Sequence, residues 1–429
     1  MYLYTPIFKA VRNSYFVIFI LLLFADVAFP SSQCADTTVR IMTWNLLNFP
    51  SQSNLPTDTA VRLPCYRTVI QYVNPDIIVT QENSGSNSIS IFLNGVLNAG
   101  GNQYSAGTFI NGYDTDNGIY YRTSCFRFIS NLPIQTALRD VNQFTLVHLP
   151  TNDTIHIFSC HLKASPGVAN ENLRAAEADS IRKVTDAFPP ETDFMICGDF
   201  NFYGSSEPGY QRLLQTDSFA DGNFLDPIAM TGVWNDPAYS IYHTQSTRVR
   251  SFGGGASGGL DDRFDLMLFS TAMIQPGKIT YQSGTSTPVG NDGLHYGDSI
   301  NRPPNAVVSQ AIAEALYCAS DHLPVYADFN FTSLIDVNEI AAQEIQLKIF
   351  PNPSGGEITL GFLVRCTATL TLTIYDGMAK EIKSFREENI LPGYCEKKIE
   401  GAGELPAGNY FVRATTGDGK TISAVFTVR

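Results

Sequence analysis

Asp193-Phe194-Met195-Ile196-Cys197-Gly198-Asp199-Phe200-Asn201 is an apolar run that ends in a glycine, an acid and an amide. The part from Asp193 to Cys197 reads as a short strand, and Gly198-Asp199-Phe200-Asn201 is its exit. The same grammar recurs along the chain. Val39 to Asn45 is a strand closing on Trp44-Asn45, and Asp76 to Thr80 leads into Gln81-Glu82. Thr154 to Cys160 leads into His161-Leu162-Lys163, and Gly118 to Tyr121 is a further strand. Phe264 to Phe269 carries Asp265 inside Arg263-Phe264-Asp265-Leu266-Met267-Leu268, and Ser320-Asp321-His322-Leu323-Pro324 follows. Between Cys160 and Cys197, Asn170 to Phe188 has a helical pattern with good helix formers such as Leu173, Ala175, Ala176 and Glu177. Strands mixed with helices predict a layered α/β domain.

An acid embedded in an apolar strand is costly unless it is paired or binds a cation. Hydrolysis of a phosphodiester needs a deprotonated water, compensation of charge on the phosphoryl oxygens and stabilisation of the leaving alkoxide. Oxygen ligands such as Glu82 and Asp321 suit Mg²⁺ or Ca²⁺, whereas the histidines are not spaced for zinc. An Asp–His couple can form a general base, and Asn45 and Asn201 can donate to phosphate oxygens without adding charge. Taken singly, each piece has an ordinary explanation: Asp199 with Asn201 as a turn, His161 as a structural histidine, Ser320-Asp321-His322 as a helix cap. Their joint occurrence at strand exits is what points to one site.

Trp44-Asn45, Gln81-Glu82, Ser159-Cys160-His161-Leu162-Lys163, Gly198-Asp199-Phe200-Asn201, Phe264-Asp265 and Ser320-Asp321-His322-Leu323-Pro324 resemble, in this order, the endonuclease/exonuclease/phosphatase superfamily, also called deoxyribonuclease-I-like. The resemblance spans roughly Val39 to Asn330 and implies a four-layer α/β sandwich, two packed β-sheets with helices outside and an active site at one rim. By position it implies Glu82 as principal metal ligand, with Asn45 and Asp321 close to the ion, which is expected to be Mg²⁺, with Ca²⁺ or Mn²⁺ as alternatives. It implies that Asp265 orients His322, the counterpart of the family's general base, and that Asp199 and Asn201 align water and phosphate. Proton transfer is divided differently among members between the equivalents of Asp199 and His322, and both assignments stay open. His161 resembles the histidine that donates to the phosphate or leaving oxygen, and Asn45, Asn201 and His161 form the expected phosphate-binding set.

Some positions depart from the family. Ser84 stands where deoxyribonucleases tend to carry a DNA-contacting arginine two residues after the metal-binding Glu. No secure carboxylate partner for His161 is apparent; Asp114 and Asp116 are candidates by order. Arg122 could contact phosphate or be a surface charge. Gly277 to Asn305 has little regular pattern and contains Asn291, Asp292, His295 and Asp298; it shapes substrate access or is a solvated excursion.

The chain has 429 residues, which suggests two domains plus a processed leader. Apolar content of 44% against 16% charged residues reads as globular. The formal charge of −13 argues against a broad basic surface that holds polyanions by charge alone. It does not exclude a nuclease, because a bound divalent cation reverses the local field. Lys9 and Arg12 precede the apolar run Tyr15 to Ala25, then Pro30, Ser31 and Ser32, so residues 1–34 read as a signal peptide. Cleavage after Ala28 or near Cys34 is open, and Gln33 argues against lipidation of Cys34. The chain contains eight cysteines. Cys160 and Cys197 read as buried core thiols, and a local Cys366–Cys395 bridge is possible.

Residues 332–344 read as a linker, separating a catalytic domain over 36–331 from a small C-terminal β-sandwich over 345–429. Leu347 to Phe350, Ala368 to Tyr375, Tyr410 to Ala414 and Ala424 to Val428 are its strands. Phe350-Pro351-Asn352-Pro353-Ser354-Gly355-Gly356, Leu405-Pro406-Ala407-Gly408-Asn409-Tyr410-Phe411-Val412 and the closing run Thr416-Gly417-Asp418-Gly419-Lys420-Thr421 resemble a type A sorting domain of the bacterial type IX secretion system. The resemblance implies the secretion machinery as a partner and a secreted or cell-surface location.

The reading is therefore a secreted metal-dependent phosphodiester hydrolase, expected to act as a monomer on nucleic acid, DNA or RNA. The same chemistry on a phospholipid, sphingomyelin or inositol phosphate is the alternative. A surface adhesion or scaffold protein with a dead hydrolase fold is a third, against which the intact set Glu82, Asp265 and His322 argues.

Overall fold

The computed structural model describes residues 37–51, 58–216, 222–275, 277–332 and 345–429, apart from 365–367, 378–379, 391–392, 400, 402–403 and 418–420. The expected leader, all of the expected linker except Thr332, Cys366 and the middle of the closing run lie outside the described residues.

Two β-sheets form the centre of the N-terminal part. One has the order β11-β13-β1-β2-β4-β3, with β12 on β13. Its strands are β1 (Thr37–Phe49), β2 (Ile77–Asn83), β3 (Tyr104–Ala106), β4 (Asp116–Arg122), β11 (Ile279–Tyr281), β12 (Thr287–Pro288) and β13 (Val325–Phe331). The other has the order β5-β6-β7-β8-β10-β9. It is built from β5 (Phe126–Ile134), β6 (Val141–His148), β7 (Thr154–His161), β8 (Phe194–Asp199), β9 (Phe224–Leu225) and β10 (Asp265–Ser270).

Period-2 alternation sorts each strand's side chains between two cores. In β1, Val39 and Ile41 join Ile77, Val79, Ile155, Ile157, Met195, Cys197, Met267 and Phe329 in a buried layer between the sheets. Met42 and Trp44 turn the other way, onto Tyr66 and Val69 of α1 (Thr59–Val73), Phe92 of α2 (Ser86–Phe92) and Leu316 of α6 (Gln310–Ala319). On the second sheet's outer face, Phe158, Cys160, Phe194 and Ile196 pack against Ala178 and Ile181 of α3 (Val168–Thr185) and Leu213 of α4 (Pro208–Leu214). The result is helices, sheet, sheet, helices: the four-layer α/β sandwich. A short α5 (Thr271–Ile274) follows β10. Among the described residues no helix is long and apolar enough to cross a membrane.

The residues expected to be an irregular excursion, Gly277 to Asn305, supply β11 and β12, which pair with β13. The rest follows an irregular path. A disulfide joins Cys65 of α1 to Cys318 of α6, 253 residues apart in sequence, while Cys160 and Cys197 are buried free thiols. Cys395 is also a free thiol.

The C-terminal part is all β. Strands β14 (Ile345–Phe350), β15 (Ile358–Val364) and β18 (Gly393–Ile399) form one sheet. Strands β17 (Glu381–Ile390), β16 (Ala368–Tyr375), β19 (Gly408–Thr416) and β20 (Thr421–Val428) form the other. Leu360, Phe362, Leu372, Val412 and Phe426 fill the space between them.

Candidate active site

The layer between the large sheets is apolar over most of its length and turns polar at one rim. The row Val39, Ile41, Thr43 ends in Asn45, Ile77 and Val79 in Gln81, Ile155, Ile157 and Ser159 in His161, and Met195 and Cys197 in Asp199. β7 runs parallel to β8, which sets His161 beside Asp199, and antiparallel β10 brings Asp265 opposite Asp199. Strict alternation would send Glu82 to the far face of β2. A left-handed φ of 57° at Glu82, at a register irregularity between Thr80 and Asn83, turns it back to the rim. Asn201 has a left-handed φ of 52°, so two site residues hold conformations that non-glycine residues seldom adopt.

The polar ends meet. Asn45 Nδ2 donates to Glu82 Oε1 at 2.9 Å and to Asp199 Oδ2 at 3.1 Å, and its Oδ1 accepts from Leu47 N. Glu82 Oε2 accepts from Asn48 N at 2.7 Å. His161 lies with Nε2 3.5 Å from Asp199 Oδ2 and Nδ1 4.0 Å from Glu82 Oε1. His322 Nδ1 donates to Asp265 Oδ2 at 2.7 Å, and its Nε2 is 3.6 Å from Asp199 Oδ2. Asn201 sits in the turn after Asp199, its N–H on Asp199 Oδ1 and its amide donating to Leu162 O. Asp321 is held from the side: Oδ2 accepts from Ala256 N at 2.5 Å, and Ser320 Oγ lies 3.5 Å from Oδ1.

Burial sets the electrostatics. It raises the Glu82 carboxyl, and the charge of Asp321 raises it further. Burial pushes Asp199 up to about 7, against the pull of His322. The two imidazoles diverge. Burial, with Arg139 and His322 nearby, holds His161 well below the ordinary histidine value. Burial also opposes charge on His322, but Asp265 and Asp199 outweigh it and raise the ring well above that value. Such opposed pairs are characteristic of acid–base sites.

Glu82, His161 and Asp199 each offer a ligand atom, all within 4.8 Å of one another. His161 Nδ1 is buried without a hydrogen-bond partner, as is Asp265 Oδ1. Crowded buried carboxylates with an unsatisfied imidazole nitrogen fit a cation. This trio shares only Glu82 with the ligand set the family resemblance implies. Asn45 faces the acids with its nitrogen and would have to turn its amide over to coordinate, and Asp321 is engaged with Ala256.

Other expectations shift. Neither Asp114 nor Asp116 reaches His161: Asp114 pairs with Arg139 Nη1 at 2.9 Å, and Arg139 donates to the carbonyls of His161 and Leu162. Asp116 accepts from Gly112 N. Arg122 lies at the other end of β4, paired with Asp76 and bonded to Gln103 and Asn74, so it cannot serve the rim. In the 277–305 segment, Asn291 binds the carbonyls of Ser240 and His243, and His295 bridges Asp292 and Arg302 O. Asn291 thus ties the segment to 240–243, while His295 holds the segment to itself. The sequence reading missed Gln245, whose amide Nε2 is 2.5 Å from His322 Nε2. No local pattern marks it. The run Gly253-Gly254-Gly255 was the available signal for the loop that reaches Asp321: Gly255 has φ 79°, and a Cβ there would meet Asp321 Oδ2 at 2.7 Å.

The fold and its rim define a four-layer α/β sandwich whose inter-sheet row ends in acids, amides and imidazoles. Residues 348–427 match the family of secretion system C-terminal sorting domains, and the chain is accordingly exported to the cell surface or beyond it. No curated protein sequence matches the chain. Among solved structures it is similar to an endonuclease/exonuclease/phosphatase from Bacteroides vulgatus, at 16% identity and TM-score 0.47 over 69% of this chain and 99% of that one. It is also similar to an endonuclease/exonuclease/phosphatase from Beutenbergia cavernae, at 16% identity and TM-score 0.43 over 91% of this chain and 100% of that one. The human Nocturnin catalytic domain with bound sulfate is a third, at 17% identity and TM-score 0.43 over 69% and 98%.

Proposed function

We propose that the chain is a secreted, divalent-metal-dependent phosphodiester hydrolase, acting foremost as an extracellular nuclease on DNA or RNA. The catalytic part is taken as residues 36–331, joined by 332–344 to the sorting domain. One observation carries this reading: Glu82, Asp199, Asp265, His161, His322, Asn45 and Asn201, drawn from distant parts of the chain, converge on one buried rim.

Glu82, His161 and Asp199, with Asn45 and Asp321 beside them, would hold a divalent cation, which supplies charge compensation for the phosphoryl and leaving oxygens. The carboxylates suit Mg²⁺ and Mn²⁺, and an imidazole among the donors shifts the preference from Mg²⁺ towards a transition ion such as Mn²⁺. Asp265 fixes the His322 ring by its Nδ1–H, so that Nε2 faces Asp199 and the Gln245 amide. Water attacks phosphorus and loses its proton to Asp199 Oδ2, and the protonated His322 ring 3.6 Å away stabilises the developing charge. The P–O bond to the leaving group breaks, the leaving oxygen takes its proton from the His322 ring, and the ring recovers a proton from Asp199. His161, held neutral, remains a hydrogen-bond donor toward the phosphoryl group.

A second reading, a small phosphoester or a lipid headgroup, has its own support. Ser84 replaces a cationic side chain, and the strip leaving His322 runs through Gln245, Asp262, Asp261 and Asn235 to Tyr296, acidic and aromatic but not basic. Purified protein with Mg²⁺ or Mn²⁺ should nick supercoiled DNA or cut RNA, and Glu82→Ala should abolish it. Turnover of lipid or inositol phosphoesters with none of nucleic acids would favour the second reading, and metal-independent turnover would contradict both.

A further inference from the structure

Resting on the phosphoester reading, we propose that Gln245 binds a non-bridging oxygen of the substrate phosphoryl group, and that its amide leaves His322 to do so. His322 has one ring nitrogen committed to Asp265 at 2.7 Å. The other, through which it addresses a substrate, meets the Gln245 amide at 2.5 Å. Gln245 therefore occupies the place a phosphoryl oxygen would take beside the ring.

Its backbone is pinned and its side chain is not. Gln245 N donates to Asp262 O at 3.1 Å, and its carbonyl accepts from Asp261 N and Asp262 N, each at 3.0 Å. Bridge pairings with Asp262 and His322 flank it, and the hydroxyl of the preceding Thr244 accepts from the backbone of Phe264 and Asp265. Against a protonated ring the amide must present its oxygen to the Nε2–H, which leaves its two N–H groups without a hydrogen-bond partner among the described residues, and the side chain is only half-buried. A fixed anchor carrying an amide with donors to spare suits recognition of an anionic oxygen.

The cations around the rim are engaged elsewhere, which gives a neutral donor its role. Arg139 binds Asp114 and the carbonyls of His161 and Leu162. Arg248 binds the carbonyls of Tyr317 and Cys318 at the end of α6, and Arg62 those of Ala319 and Leu47. With these guanidiniums holding backbone, the phosphoryl charge falls to amides, of which Gln245 is the one already against His322.

Gln245→Ala and Gln245→Glu separate binding from mere support of the ring. Glutamate keeps the shape and would hold a protonated imidazole at least as well, but it repels a phosphoryl oxygen. The full-length protein with Mn²⁺ is assayed on bis(p-nitrophenyl) phosphate, and its affinity for inorganic phosphate is measured by calorimetry, which needs no turnover. The expected result is a loss of kcat/KM on the order of 100-fold in both variants, with phosphate binding weakened most in Gln245→Glu. Gln245→Glu retaining activity and phosphate affinity would overturn the inference, as would Gln245→Ala behaving like the parent in both measurements. If the parent protein binds phosphate but hydrolyses no phosphoester, the enzymatic reading fails, while weakened phosphate binding in the variants would still support Gln245 as an anion contact.

Discussion

At the scale of single residues, charge is set by what each side chain loses when it is buried. His148 shows this away from the rim. Its ring is fully buried against Phe126 and Phe331, with Nδ1 on Thr151 Oγ1 and no partner for Nε2. Desolvation lowers its pKa from 6.5 to about 4. Below 6.5 the unfolded chain takes up a proton that the folded chain refuses, so stability falls as pH drops from 6.5 towards 4 and rises with pH across that window. The contribution is at most about 3 kcal/mol. Urea denaturation at pH 7 and pH 5 should show the loss in the parent and a smaller loss in His148→Phe; equal losses would exclude His148 as the source. Most of the site was legible at this scale because an acid, amide or imidazole ending an apolar strand is conspicuous. Gln245 was not: it follows no strand pattern, and only the fold carries it 77 positions to His322.

At the scale of elements, the site is a consequence of alternation. Rows of apolar side chains pointing between the sheets end in polar ones where parallel neighbours stop together, so strand register sets the spacing of His161 and Asp199. Gly198 is required for that spacing. Its φ of 135° is open to glycine, and a Cβ would sit 2.1 Å from Cys160 O on β7. Gly198→Ala should force β7 and β8 apart directly beneath the rim, costing roughly 3 kcal/mol or more. Urea unfolding read by fluorescence would show it, and an unchanged midpoint would contradict this role. The strands and α3 were readable because period 2 and period 3.6 differ over such lengths. The turn of Glu82 back to the rim was not, since a single left-handed residue leaves no periodic trace. Nor was the Cys65–Cys318 pairing, which depends on α1 and α6 lying side by side on the outer face of one sheet.

At the scale of the whole molecule, the chain combines a net charge of −13 with an export address in residues 348–427. Removing 348–427 should leave the protein inside the producing cell envelope, as read by fractionation and immunoblotting; undiminished release to the surface or medium would contradict the role of that domain. Because a chain of net charge −13 offers little long-range attraction to a polyanion, substrate capture on the proposed reading would rest on the rim and the cation it is proposed to hold. That cation is the centre of the account, and it can be tested without choosing a substrate. Mn²⁺ binding to the full-length protein, followed by electron paramagnetic resonance, should saturate at a site that Glu82→Gln weakens by about tenfold or more. Saturable binding indifferent to Glu82→Gln, or phosphodiester cleavage that persists in excess chelator, would contradict it.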